Sequence, residues 1–200
     1  MTTRSVLLDF GNVITFFDHR KACRQLAELS RTAVDANHIY QTIFDAGLET
    51  GYDTGRLSTP EFIGRLRHAF ELDATDAEIG RAWSDIFTPN DAMAVAIRNL
   101  KRRGLRLVLA SNTNALHHDW FARSYASTLS PLDAHVLSYQ VGSRKPEPAF
   151  FAACLTAAQC APAQCLYVDD RDDFVTAGRE LGLNGLVYAP GVDVLSATCY

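Results

Sequence analysis

The chain lacks any pattern of paired cysteines. Cys23, Cys154, Cys160, Cys165 and Cys199 are the five thiols in 200 residues. The number is odd and no C-x-x-C element occurs, which predicts reduced thiols in a cytoplasmic protein and argues against structural zinc. Excess basic charge is also missing: 19 Lys and Arg stand against 23 Asp and Glu, a formal net charge of −4. Binding to nucleic acid or a membrane surface calls for a basic face, so neither partner is expected. No apolar run approaches the length of a membrane span. The opening Met1-Thr2-Thr3-Arg4 runs directly into an apolar segment and leaves no room for a signal peptide. Internal repeats and low-complexity tracts are absent. What remains is an ordinary globular composition, 48% hydrophobic and 21% charged. That length supports one sizeable core, or one core with a smaller appended unit.

The chain is organised around residues 5–14, Ser-Val-Leu-Leu-Asp-Phe-Gly-Asn-Val-Ile. Val6-Leu7-Leu8 has no polar alternation and predicts a fully buried strand. It ends in Asp9, with Gly11 two residues further on. A carboxylate there either caps a loop or stands at the C-terminal end of a strand, where open α/β sheets hold their ligands.

Beyond residue 14 the pattern turns helical, first over 20–30. Ser58-Thr59-Pro60-Glu61 and Thr75-Asp76-Ala77-Glu78 are capping boxes, the first with proline in its opening turn. Residues 50–57 read as a loop, and helices alone are expected as far as 87. That stretch is too long for a simple crossover. It predicts a helical unit, 15–87, inserted into a core made of 1–14 plus 88–200. From 91 onward helix and strand alternate, with strands expected at 105–110, 135–137, 165–168 and 186–188. Such βα units imply an α/β fold built on a doubly wound parallel sheet.

Three polar clusters follow three of these strands: Asp9, then Ser111-Asn112, then Asp169-Asp170. A parallel sheet brings all three strand ends to one edge. Lys145 stands between the second and third clusters, and a proline rigidifies its turn. Carboxylates from two strand ends can hold a hard cation such as Mg²⁺ through oxygen. A hydroxyl, an amide and an ammonium form a receptor for phosphoryl oxygens.

These motifs, Asp-Phe-Gly-Asn-Val-Ile, Leu-Ala-Ser-Asn-Thr-Asn, Arg-Lys-Pro-Glu and Val-Asp-Asp, resemble those of the haloacid dehalogenase-like hydrolase (HAD) superfamily. The resemblance covers the full length, with the helical unit as an inserted cap. Within the superfamily the chain looks most like the branch containing α-D-glucose-1-phosphate phosphatase. The resemblance implies that Asp9 is a nucleophile that takes up a phosphoryl group. It implies Mg²⁺ held by Asp9, the Gly11 carbonyl and Asp170, with Asp169 or Asp173 supporting from nearby. Ser111, Asn112 and Lys145 would neutralise the transferring group. The expected function is a Mg²⁺-dependent phosphomonoesterase acting on a small phosphate ester, a sugar phosphate, through an aspartyl-phosphate.

Two positions depart from the family pattern. Many of its phosphatases carry an acid–base aspartate where this chain has Gly11, and a missing acid–base group typically costs about 10²–10⁴-fold in rate. The branch resembled also carries glycine there, and a good leaving group, such as an anomeric hydroxyl, would suit it. Phe174 stands where relatives often carry asparagine near the metal. Phe16, Phe17, Asp18 and His19 either line a substrate pocket or staple the two units together. His117 and His118 read as a solvated or partly buried pair rather than metal ligands, and Trp83 and Trp120 as core. Two other functions share the scaffold. One is a 2-haloacid dehalogenase, which needs no metal and hence no acidic cluster. The other is a catalytically weak binding or regulatory protein, favoured by Gly11 alone.

Overall fold

Val6, Leu7 and Leu8 are wholly buried in the computed structural model, which describes residues 2–198. They form the strand β1 (Ser5–Leu8). The chain then passes through β2 (Thr15–Phe17) into the helices α1 (His19–Glu28), α2 (Ala36–Tyr40), α3 (Leu48–Asp53), α4 (Thr59–Phe70) and α5 (Asp76–Ser84). It returns along β3 (Phe87–Pro89). Then follow α6 (Asp91–Arg102), β4 (Arg106–Ser111), α7 (Ala115–Ser124), α8 (Ala126–Leu129), β5 (Ala134–Leu137) and α9 (Ser138–Val141). The last elements are α10 (Pro148–Ala158), β6 (Cys165–Asp169), α11 (Asp172–Glu180) and β7 (Asn184–Val187).

The sheet runs β5-β4-β1-β6-β7 with every pairing parallel. β1 is central, and the chain builds outward from it in both directions, so its C-terminal end is the switch point where such sheets open a crevice. Alternate side chains go to opposite faces, as a strand's two-residue period requires. Val6 and Leu8 pack with Met93, Ile97 and Leu100 of α6, while Leu7 packs with Phe150, Phe151 and Cys154 of α10.

Residues 22–86 contribute a separate apolar cluster, including Leu26, Ile43, Phe62, Phe70, Ile79 and Trp83. Both capping boxes form: Glu61 accepts from Ser58 N at 2.8 Å, and Glu78 from Thr75 N at 2.7 Å. Two features of this stretch differ from expectation. Residues 50–53, expected as loop, belong to the helix α3, because Gly47 takes a positive φ of 73° and starts a new helical turn there. The entry and exit segments also pair as a short antiparallel ribbon, Phe17 opposite Phe87 and Thr15 opposite Pro89. Three-residue strands are too short to show a period in sequence.

Trp83 is buried as expected, but Trp120 is only partly covered and joins none of the buried clusters. Its place on α7 puts the ring at the rim, while Phe121 turns inward. His117 is buried rather than solvated, stacked on Trp83 at 5.0 Å and 7°. Cys23, Cys154 and Cys165 are buried free thiols and Cys160 is a half-buried one; Cys199 lies outside the described residues. Among the described residues, no helix is long and apolar enough to cross a membrane.

Candidate active site

Asp9 directly follows β1, and its backbone N–H donates to Val168 O at 3.0 Å, continuing the ladder with β6. That register places it beside Asp169, which closes β6. Lys145 Nζ reaches both carboxylates, 2.7 Å to Asp9 Oδ1 and 2.7 Å to Asp169 Oδ2, with its side chain 1% exposed. Burial alone would lower the ammonium's pKa, but Asp9 and Asp169 outweigh it and hold the group above its ordinary value. Burial, opposed by Lys145 and reinforced by Asp169, pushes the Asp9 carboxyl up to about 7.

Asp169 has little left to offer a ligand. Besides Lys145 it accepts from Tyr167 OH at 2.6 Å and from Arg171 N at 3.0 Å. Its work is to fix Lys145. Asp170, half-buried, accepts from Asn12 Nδ2 at 2.9 Å. Asn12 adopts the left-handed region at φ 57°, which a short amide side chain tolerates, and this turns its side chain toward Asp170. Carboxylate oxygens of Asp9, Asp169 and Asp170 lie within 4.8 Å of one another. Three carboxylates facing a single lysine leave negative charge uncompensated, and their oxygens are hard donors. The residues therefore fit a divalent cation such as Mg²⁺, with Asp9 and Asp170 the groups free to hold it. Gly11 lines the same cavity.

On the β4 side, Ser111 is buried, and its hydroxyl makes only a long 3.4 Å contact with Asn112 O, so it remains available to a ligand. Asn112 is used differently from expectation. Its Oδ1 accepts from Lys145 N at 2.8 Å and its Nδ2 donates to Lys145 O at 3.1 Å, so its amide clamps the lysine's main chain. Asp173 does not join the carboxylates: it is exposed and holds Arg171 through contacts of 3.0 and 2.6 Å. Phe174 lines the cavity with its ring under two cations, Arg171 at 4.0 Å and Lys145 Nζ at 5.5 Å.

The cavity encloses about 410 Å³ and is walled by the core on one side and by α1–α3 on the other. Of the segment after Ile14, Phe17 and His19 line it, whereas Phe16 does not. Asp18 stands outside as the N-cap of α1, accepting from Arg20 N at 2.8 Å and Arg24 Nη2 at 2.9 Å. Sequence reasoning missed Asn12, Tyr40, Phe44, Glu49, Asp53 and Arg144 as lining residues. Asp53 accepts from Asn114 Nδ2 at 2.9 Å and faces Arg144 Nη1 at 4.0 Å, while Arg144 also donates to Thr50 at 3.0 Å. Burial raises Asp53 to about 6 against the opposing pull of Asn114 and Arg144. The one available signal was Arg144 beside Lys145. The acids of α3 gave none: Asp53 fell in the stretch read as loop, and Glu49 belonged to no motif.

A parallel α/β sheet with a buried carboxylate–lysine cluster at its switch point agrees with the architecture of a hydrolase of the α/β class. The chain belongs to the haloacid dehalogenase-like hydrolase family, whose pattern it matches over residues 3–182. It is 28% identical to D-ribitol-5-phosphate phosphatase of Bacteroides thetaiotaomicron, over 95% of this chain and 94% of that one. It is 25% identical to a phosphatase of Mycobacterium tuberculosis, over 92% and 86% of the two chains. In structure it resembles a HAD family enzyme of Bacteroides thetaiotaomicron crystallised with magnesium and inorganic phosphate. That match has a TM-score of 0.83 and 21% identity, and covers 96% of this chain and 97% of that one.

Proposed function

We propose that this chain is a Mg²⁺-dependent phosphomonoesterase acting on a small sugar or sugar-alcohol phosphate through an aspartyl-phosphate on Asp9. The observation that carries this reading is the junction of Asp9 and Lys145 at 2.7 Å beside Asp170, at the floor of a closed-in cavity. Asp9 presents a carboxylate oxygen for in-line attack on phosphorus. Lys145 and the Ser111 hydroxyl face the place where charge develops on the phosphoryl oxygens. Asp9 and Asp170 would hold Mg²⁺, which when bound neutralises phosphate charge and favours the ionised form of Asp9. The acidic cluster supports a metal-dependent phosphatase over a haloacid dehalogenase, which has no use for it.

We assign residues 15–87 as a cap over the core formed by 1–14 and 88–200. What supports this is that Phe17, His19, Tyr40, Phe44, Glu49 and Asp53 wall the same cavity as Asp9. A cap so placed sets specificity by shape and excludes water from the reacting phosphoryl group. Asp53 from the cap and Arg144 from the core, both lining the cavity, suit hydroxyl groups, in keeping with the substrate named for the Bacteroides relative.

The test is a screen of sugar phosphates, sugar-alcohol phosphates, nucleotides and an aryl phosphate, with Mg²⁺ and with chelator. Activity should require Mg²⁺ and vanish in Asp9→Asn, whose amide is a poor nucleophile. Full activity in excess chelator would overturn the phosphatase reading and restore the dehalogenase.

A further inference from the structure

A carboxyl at position 11 is not only missing from this chain; its space is occupied. A Cβ at Gly11 would lie 2.6 Å from Phe17 Cε1 and 2.8 Å from Phe17 Cδ1. The proton that a departing alkoxide requires must come from another wall of the cavity.

The titratable groups lining the cavity can be sorted by their partners. Asp9 and Lys145 are bound to one another, and Asp170 accepts from Asn12. Asp53 is held by Asn114 and Arg144. His117 Nδ1 lies 3.2 Å from Asn114 Nδ2 and its Nε2 lies 3.2 Å from Trp83 O, so both ring nitrogens are engaged. Arg144 and Arg171 do not release protons in proteins. Tyr40 lies under the Arg20 guanidinium at 4.9 Å.

Glu49 and His19 remain. Glu49 enters the cavity from α3 with its side chain 17% exposed, and its Oε1 is 3.9 Å from His19 Nε2, too far for a hydrogen bond. The charged and titratable groups around it are His19 from α1, Asp53 from α3 and Arg144 from the loop before α10. Burial, reinforced by Asp53 and opposed by Arg144, raises the Glu49 carboxyl to about 8. Burial lowers His19 to about 4. At neutral pH Glu49 therefore carries a proton and His19 does not.

We infer that Glu49 is the proton-transfer residue of the reaction, standing in from the helical unit for the carboxyl that position 11 lacks. The inference rests on the phosphatase reading. In the first step an Asp9 oxygen bonds to phosphorus and the P–O ester bond breaks, its electron pair going to the ester oxygen. The Glu49 proton goes to that oxygen, giving the alcohol and a Glu49 carboxylate. In the second step water enters where the alcohol left. Its oxygen bonds to phosphorus, Glu49 takes its proton, and the bond to Asp9 breaks to release inorganic phosphate and the Asp9 carboxylate. Simple alkyl phosphates then fall within reach, and the preference for an anomeric leaving group no longer follows from Gly11.

The test compares kcat/KM for an alkyl phosphate and an aryl phosphate in wild type and Glu49→Gln, with Mg²⁺, across neutral and alkaline pH. Glu49→Gln should lose about 10²–10⁴-fold on the alkyl ester and less than about tenfold on the aryl ester, whose leaving group needs no proton. With the aryl ester the variant should release a burst of the phenol and then turn over slowly, because the second step has lost its base. Wild-type kcat/KM on the alkyl ester should fall above about pH 8, while that on the aryl ester holds; this profile tests the inference even if the variant misfolds. Equal loss on both esters, no loss on either, or matching wild-type profiles overturns the role of Glu49 alone. A wild type that hydrolyses neither ester overturns the phosphatase reading, and the inference with it.

Discussion

Lys145 shows how much one residue carries in this site. It is buried between two carboxylates at 2.7 Å, so removing its charge leaves Asp9 and Asp169 unpaired in a low-dielectric setting. Lys145→Met should cost about 3–5 kcal/mol of stability and abolish turnover, as read by denaturant unfolding and phosphate release. Loss of activity at unchanged stability would show that the lysine is not needed to hold the carboxylates. Gly11 behaves oppositely: a side chain there would meet the Phe17 ring. Gly11→Asp should be destabilised by about 1–3 kcal/mol through overpacking against Phe17. Adding Phe17→Ala should relieve much of that loss in a thermal melt. A stable, more active Gly11→Asp single variant would show that the Phe17 ring moves aside freely. Asp9, Ser111 and the Asp169-Asp170 pair were legible in sequence because each directly follows a buried run, and Lys145 because it stands at a proline-marked turn. Glu49, Asp53 and Asn12 were not, because their roles depend on neighbours 25 or more residues away in the chain.

At the scale of elements, the sheet edge is tied to the return strand by one amide. Asn90 Nδ2 donates to Val13 O at 2.7 Å and to Tyr188 OH at 2.9 Å, and its Oδ1 accepts from Met93 N at 3.3 Å as the N-cap of α6. One side chain thus links the loop after Asp9, the start of α6 and the residue following β7. Asn90→Ala strands a buried carbonyl and removes a cap, each worth about 1–2 kcal/mol. For a domain of this size that corresponds to a fall in Tm of several degrees, about 2–4 °C per kcal/mol. No change in Tm would mean that Val13 O finds another donor. The capping boxes of α4 and α5 were plain in the sequence because their four-residue signature is local. The β2–β3 ribbon was invisible because its strands are three residues long and their pairing partners stand about 70 residues apart in the chain.

For the whole molecule, two histidines beside the cavity are stacked in buried surroundings where the ring must stay neutral. His117 stacks on Trp83, and His19 stacks on Phe44 at 4.6 Å. Burial, with His19 adding to it, lowers His117 to about 3, and burial lowers His19 to about 4. Unfolding frees both to protonate near the ordinary value of 6.5, so the unfolded state binds more protons below that pH. Stability should be full above about pH 6.5 and fall by up to about 1.4 kcal/mol per pH unit per histidine as pH drops toward the folded values. His117→Phe, which keeps the stacked ring, should flatten that slope by one proton. Urea midpoints measured between neutral and mildly acidic pH would show it, and an unchanged slope would remove His117 from the account.

The sequence by itself determined the α/β alternation, the run of helices that follows the first strand and the order of polar clusters at the strand ends. Those features follow from local periodicity, from caps and from strand boundaries, all of which a chain displays within a few residues. Only the tertiary structure decided that Asp169 is spent on Lys145 and Tyr167, and that the Asn112 amide clamps the main chain of Lys145. It alone decided that Phe17 fills the space beside Gly11 and that α3 brings Glu49 and Asp53 to the cavity that Asp9 lines. Each of these depends on which side chains compete for the same hydrogen bond or the same volume. That competition exists only once distant segments have been packed together.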